Sequence, residues 1–456
     1  MNNNITGGVI WKQLLLFFFP IWFGTFFQQL YNTADAVIVG NFVGKGALAA
    51  VGTTAVVQNL LVGFFVGVAS GASVVISQYY GARQGAQVQR AVHTAMAMAL
   101  LGGVGIMLIG LAASRWALSI MNTPADVMED AVLYLRICFL GMVPSLIYNM
   151  GTGILRAVGD SKRPLYFLIC ASLTNIVLDV VLVAILGMGV AGAALATVAS
   201  QCVAADMTVM SLTHTTACYR FVPAYLQLDK EMVEKIVRIG LPAGLQSVMY
   251  SLSNSVVQAS INSFGTDVVA AYTAYGKIDS IFWMTMNSFG LSITTFVGQN
   301  FGAGQYDRVK KGVRQCALMA FVATGLLMAV TLLFGSALFR LFVQDAPVIQ
   351  QGVEILHYVV PFWPTYVLIE ILSGSVRGAG DSLIPMIMTS IGVCVTRILW
   401  VLTVVATVWH TLIGALACYP ISWSLTSLFF LAYYLQGGWL RRRIRVREAA
   451  QTEQPA

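Results

Sequence analysis

At 456 residues, 58% hydrophobic and only 10% charged, with a mean hydropathy of +0.78, the chain is too apolar for a soluble domain, of which about a quarter is charged. Its formal charge of +7 raises nucleic acid as a partner, but the cations gather at the ends of apolar runs, so a polytopic membrane protein is expected and no nucleic-acid role. Seven cysteines fall singly without CxxC and four histidines are scattered, which excludes a disulfide framework and a zinc centre from the expectations.

Met1 to Lys12 has neither a basic n-region nor a small-residue cleavage site, so the first span is expected to be retained. Because a spanning helix needs about 20 apolar residues, the pattern predicts twelve: 14–38, 53–78, 92–112, 132–156, 164–186, 190–214, 238–262, 277–297, 314–338, 352–374, 385–408 and 412–437. With the N-terminus inside, Lys and Arg divide twenty inside against four outside (Lys45, Arg115, Lys277 and Arg340), with Arg136 and Arg397 left in spans, which predicts both termini in the cytoplasm. The basic tail Arg441-Arg442-Arg443-Ile444-Arg445 reads as a stop signal against anionic headgroups.

The first span contains Pro20, which removes a backbone hydrogen bond and permits a bend. Beyond it, Thr25, Gln28, Asn32 and Asp35 make one polar stripe on an aromatic and aliphatic helix, better explained by a wet cavity than by helix packing. The second stretch of this kind lies in the fifth span, where Asn175 and Asp179 (i, i+4) share a face near Ser172. A carboxylate in hydrocarbon costs at least about 2.5–3.5 kcal/mol, so both aspartates take a functional reading by default. Counting 1.5 Å per residue, Asp179 lies roughly 22 Å from the cytoplasmic face and Thr197 about 10 Å below the outer one. Asp35, Asn175, Asp179 and Thr197 are therefore expected to converge as oxygen ligands for Na⁺ or H⁺.

The halves are copies. Gly153-Ile-Leu-Arg-Ala-Val-Gly-Asp-Ser-Lys-Arg-Pro164 recurs as Gly374-Ser-Val-Arg-Gly-Ala-Gly-Asp-Ser-Leu-Ile-Pro385, and Gln78-Tyr-Tyr-Gly-Ala-Arg-Gln84 as Gln299-Asn-Phe-Gly-Ala-Gly-Gln305, each 221 residues on. Six spans per copy give two parallel lobes related by an axis along the membrane normal. The expected division is an N-terminal lobe 1–214, a linker 215–237, a C-terminal lobe 238–437 and a tail 438–456. The offset sets Val256, Thr396 and Trp400 opposite Asp35, Asn175 and Asp179, so the second lobe lacks the carboxylates. Its first helix keeps Gln246, Tyr250, Asn254 and Gln258, candidates for cleft lining, and an ion pair between Glu370 and Arg397 is a further expectation. No Walker A motif, HExxH, GxSxG or βαβ-type GxGxxG is present, so neither ATP nor enzymatic catalysis is expected.

Pro20, Leu30-Tyr-Asn-Thr-Ala-Asp35, Asn175-Ile-Val-Leu-Asp179, Gly192-Ala-Ala-Leu-Ala-Thr197 and the paired Arg-x-x-Gly-Asp turns resemble the MATE (multidrug and toxic compound extrusion) family over nearly the whole chain. The resemblance implies a monomeric, all-α inner-membrane antiporter without a cofactor, exporting organic cations or other amphipathic compounds in exchange for Na⁺ or H⁺. It is closest to the DinF-like branch, where positions matching Asp35, Asn175, Asp179 and Thr197 hold the coupling cation and one matching Pro20 is the bend point. The alternative in the same superfamily is a flippase for lipid-linked oligosaccharides, for which a more cationic cleft is expected. A channel lacks its filter motif here, and a major-facilitator transporter lacks its Asp-Arg-x-Gly-Arg loop.

Overall fold

The computed structural model describes residues 5–121 and 123–452, all helix and short connections, with no strand among them. Side chains of residues 45–49, 53, 55, 56, 59, 446, 447 and 449–452 also lie outside the description, Lys45 and Arg447 of the charge count among them. Twelve rods follow one another: α1 Ile10–Phe42, α2 Lys45–Gly81, α3 Gly85–Ile120, α4 Met128–Ala157, α5 Lys162–Ile185, α6 Gly189–Thr213, α7 Lys230–Asn262, α8 Thr266–Gly302, α9 Tyr306–Arg340, α10 Ala346–Gly378, α11 Leu383–Val405 and α12 Leu412–Leu435. A tail helix, α13, spans Gly438–Thr452. Among the described residues, nine helices are long and apolar enough to cross a membrane outright (Leu60–Gly81 within α2 being one), and bent α4 makes a tenth. The remaining two, α7 and α8, carry charge near their start or mid-helix (Glu231, Lys235, Lys277, Asp279).

The surface pattern is that of a protein solvated by lipid. Leu108, Ile109, Leu326 and Leu333 are 59–78% exposed, whereas Ala91, Ala95, Ala193, Thr208, Ser288 and Ser292 are buried. Small residues let helices approach where hydrocarbon gives no hydrophobic drive to associate. The closest approach pairs Gly67 and Gly71 of α2 with Gly240 and Gly244 of α7: a Cβ on Gly71 would meet Gly240 N at 2.5 Å, and one on Gly240 would meet Val68 Cα at 2.8 Å.

The chain folds as two compact units, one from Leu16 to Gly244, the other from Leu245 onward together with Ile5–Leu15. Each change of unit falls beside a helix-internal proline. In α1 it comes at Leu16, whose carbonyl loses its intrahelical donor to Pro20; in α7 it follows Pro242 by three residues. The repeat is visible at the breaks as well. Gly44 and Gly265 precede α2 and α8 with φ of 109° and 104°, and Gly159 and Gly380 both have φ of 92°, a left-handed backbone that favours glycine.

Helix α7 begins at Lys230, inside the stretch read from sequence as linker. Asp229 caps it, its Oδ1 accepting from Glu231 N (3.0 Å) and Met232 N (3.2 Å). The connection is also fastened to α3: Arg90 donates to Asp229 (Nε 2.8 Å, Nη2 2.5 Å), and Val222 N donates to His93 Nε2 at 3.0 Å. In the second unit Arg308 donates to the carbonyls of Ile5, Gly7 and Gly8 (3.2, 2.8 and 2.9 Å), holding the segment before α1. Asp160 caps α5 through Lys162 N and Arg163 N, both 3.1 Å. Its copy Asp381 accepts from Ile384 N at a longer 3.5 Å and also pairs with Arg443 of α13 at 2.9 Å, so one of the tail's arginines is spent inside the protein.

Candidate cation site

Asp35 is half-buried near the end of α1, and Asn175 and Asp179 are fully buried on α5. Their common level follows from packing. Val39, Val183 and Ala193 meet in one apolar cluster with Tyr134 and Cys138 of α4. Asp35 stands four residues before Val39, Asp179 four before Val183, and Thr197 four after Ala193 on α6, which runs the other way. Each is thus one helical turn from that cluster, on the same side of it. Immediately after Asp179 the helix widens to π geometry over Val180–Ile185, a local loosening common beside functional residues.

The carboxyls of Asp35 and Asp179 are close neighbours, with Tyr134 near both. Asp35 Oδ1, both Asp179 oxygens and both polar atoms of Asn175 are buried without a hydrogen-bond partner on the protein. Thr197 donates to Ala193 O at 3.1 Å, which leaves its oxygen lone pairs free to accept. Two carboxylates cannot satisfy one another: they are acceptors only, and repel unless a proton or a metal cation lies between them. The residues fit such an occupant, since carboxylate, amide and hydroxyl oxygens are hard ligands.

The sequence matches the MatE family over residues 20–181 and again over 242–403. The chain belongs to the MatE family. It is 29% identical to the probable multidrug resistance protein YoeA of Bacillus subtilis, over 95% of each chain. It is 24% identical to the FAD transporter of Shewanella oneidensis, over 76% of this chain and 78% of that one. Among solved structures, the outward-facing conformation of a multidrug resistance MATE family transporter of the MOP superfamily shares the fold with a TM-score of 0.90, at 23% identity over 97% of this chain and 99% of the other. The twofold match repeats the duplication seen in the helix breaks of this MatE protein.

Not every polar residue singled out from sequence joins the site. Gln28 and Asn32 are exposed on α1, and Thr25 donates to Ile21 O at 3.0 Å. In the second unit Gln246 is buried and donates to Thr389 at 3.1 Å, while Asn254 accepts from Arg397 at 2.9 Å. Tyr250 stands near Tyr366 and Glu370. The anticipated Glu370–Arg397 ion pair is absent among the described residues. Glu370 accepts from Tyr366 OH at 3.2 Å, in space left by Gly290, and Arg397 turns to Asn254 and to Ser422 (3.1 Å). Similar depth brought the two together on paper; side-chain direction around α10 and α11 separates them. Sequence reasoning also passed over Tyr134 and Gln58. Tyr134 looks like packing, and Gln58, which lies next to Cys138, was one amide in a run without periodic polarity.

Proposed function

We propose that this MatE protein is a secondary active antiporter of the cell (inner) membrane, both termini cytoplasmic, that exports amphipathic, mainly cationic organic compounds in exchange for H⁺ or Na⁺. The observation that carries the reading is the pair of neighbouring carboxyls, Asp35 and Asp179, with their oxygens and Asn175 left unpartnered on the protein. Multidrug resistance proteins among its relatives support organic substrates, and the twenty-to-four charge count supports the orientation.

In one state the carboxyls, with Asn175 and Thr197, hold the coupling cation; in the other the cation leaves and substrate enters. Filling the site removes the repulsion between Asp35 and Asp179 and so changes what α1 must satisfy along its polar half. Pro20, where the helical ladder is already short one hydrogen bond, is where α1 gives. Each net charge moved inward down 100 mV supplies about 2.3 kcal/mol, about fortyfold in substrate ratio. One-for-one exchange against a monovalent cation moves no net charge, and the driving force is then the ion's concentration ratio alone.

The test is efflux of a fluorescent organic cation from vesicles with a pH gradient and a Na⁺ gradient imposed separately. One gradient accelerates efflux by the native protein, and Asp35→Asn, still folded, shows none of that acceleration. Undiminished gradient-driven efflux by Asp35→Asn would refute the coupling role. Transport of a pyrophosphate-linked lipid, indifferent to both gradients, would favour the flippase instead.

A further inference from the structure

The second unit has a buried charge of its own where the first has its cation site. Arg397 is 1% exposed in the middle of α11, a guanidinium held by Asn254 Oδ1 at 2.9 Å and Ser422 Oγ at 3.1 Å. The faces of Tyr419 and Trp423 lie 4.5 and 5.9 Å from its centre. Its Nη2 has no partner on the protein. Asp279 of α8 lies beyond these rings: its Oδ2 accepts from Trp283 Nε1 at 2.5 Å, Trp283 packs edge-on against Trp423 with centroids 6.2 Å apart, and Asp279 Oδ1 is unpartnered.

Arg397, Tyr419 and Asn254 sit at or within a turn of repeat positions of the first unit's site, and Asp279 and Ser422 sit opposite residues beside it. α2 and α8 start and end 221 residues apart, which sets Asp279 opposite Gln58. α5 and α11 start 221 apart, so Arg397 follows by one residue Thr396, the counterpart of Asn175. Gly192-Ala-Ala-Leu-Ala-Thr197 aligns with Gly414-Ala-Leu-Ala-Cys-Tyr419, so the ring stacked on Arg397 stands in the place of Thr197, and Ser422 in that of Ser200. Asn254 is within a turn of Val256, opposite Asp35. Trp400, in the place of Asp179, spends its indole N–H on Gly414 O at 2.9 Å.

We infer that Arg397 is a tethered cation filling the second unit's counterpart of the cation site, with Asp279 as the carboxylate that balances it. The chemistry of the pocket (an amide oxygen and a hydroxyl that accept N–H bonds, two aromatic faces and one carboxylate) suits a guanidinium, a flat cation with N–H donors that a quaternary ammonium lacks. A guanidinium on its own side chain occupies it permanently, so exchange with the medium is left to the first unit. Removing that side chain leaves a buried Asp279 without its cation, and a free guanidinium ion can take the vacated place.

Full-length protein in detergent tests this without any ion gradient, so its outcome is independent of the antiport assay. Arg397→Ala lowers the unfolding temperature, and guanidinium chloride at about ten times its Kd raises it again by about 1–2 °C. Neither the native protein nor the double variant Arg397→Ala/Asp279→Asn shows that rise, and choline chloride, added for ionic strength, does not produce it. The double variant also melts higher than Arg397→Ala alone. Equal guanidinium responses in all three proteins, or none in Arg397→Ala, overturn the inference. If Arg397→Ala does not accumulate, Asp279→Asn decides. It is destabilised by leaving Arg397 unbalanced, and adding Arg397→Met relieves it; a double variant no more stable than Asp279→Asn overturns the inference equally.

Discussion

Single side chains differ here in what surrounds them rather than in type. Asp229 and Asp179 are both aspartates, yet the first lies beside Arg90 and two backbone N–H groups while the second has no donor at all. The guanidinium of Arg90, hydrogen-bonded to it, holds the Asp229 carboxyl below its ordinary 3.8. A carboxyl lowered by folding adds stability above its unfolded value and loses it as pH falls through the folded one. The melting-temperature gap between native protein and Asp229→Asn is therefore largest at neutral pH and closes below about pH 4. A gap independent of pH would show that the Arg90 contact carries no charge-dependent stability. Asp35 and Asp179 were legible in the sequence because ionisable groups are expensive in an apolar run. Tyr134 was not legible, because an aromatic ring in a membrane helix gives the same signal whether it packs or lines a site.

Backbone geometry decides more than composition does among the helices. Gly71 and Gly240 leave no room for a side chain, whereas Gly105 of α3 has nothing within 4 Å of its missing Cβ. Gly71→Ala or Gly240→Ala should cost about 1–3 kcal/mol through overpacking, while Gly105→Ala should be neutral or gain up to about 1 kcal/mol from helix propensity. Thermal unfolding of the three variants checks this; equal effects would mean the α2–α7 crossing is not tight. Within α4, Gly141 and Pro144 coincide with a bend of 48° between Met128–Leu140 and Met142–Ala157. The span count survived this bend because length and hydropathy pass through it. The start of α7 was harder to read, since Asp229 caps that helix while docked on α3, a contact 139 residues away in sequence. The π segment after Asp179 leaves no mark in the residue pattern at all. For α1 we expect Pro20→Ala, which restores the missing N–H, to fold normally and lose transport. Full transport by that variant would remove Pro20 as the bend point.

For the molecule as a whole, duplication supplied the scaffold and divergence gave the copies different chemistry. The repeated turns at Gly159 and Gly380 could be read directly, because the left-handed backbone keeps glycine in both copies. The fate of the second site could not. Its carboxylates vanish at the aligned positions, while Arg397 enters one residue from the counterpart of Asn175, and only folding shows that Asn254, Ser422, Tyr419 and Trp423 surround it. The antiport account requires that Asp35 and Asp179 of the first unit share one small cation. The most direct measurement is an infrared pH titration of the carboxyl C=O stretch, with and without Na⁺, for the native protein, Asp35→Asn and Asp179→Asn. The account predicts that the two carboxyls titrate as a coupled pair, each variant shifting the transition of the carboxyl it retains. Two independent transitions, each unchanged when the other aspartate is replaced, would contradict it.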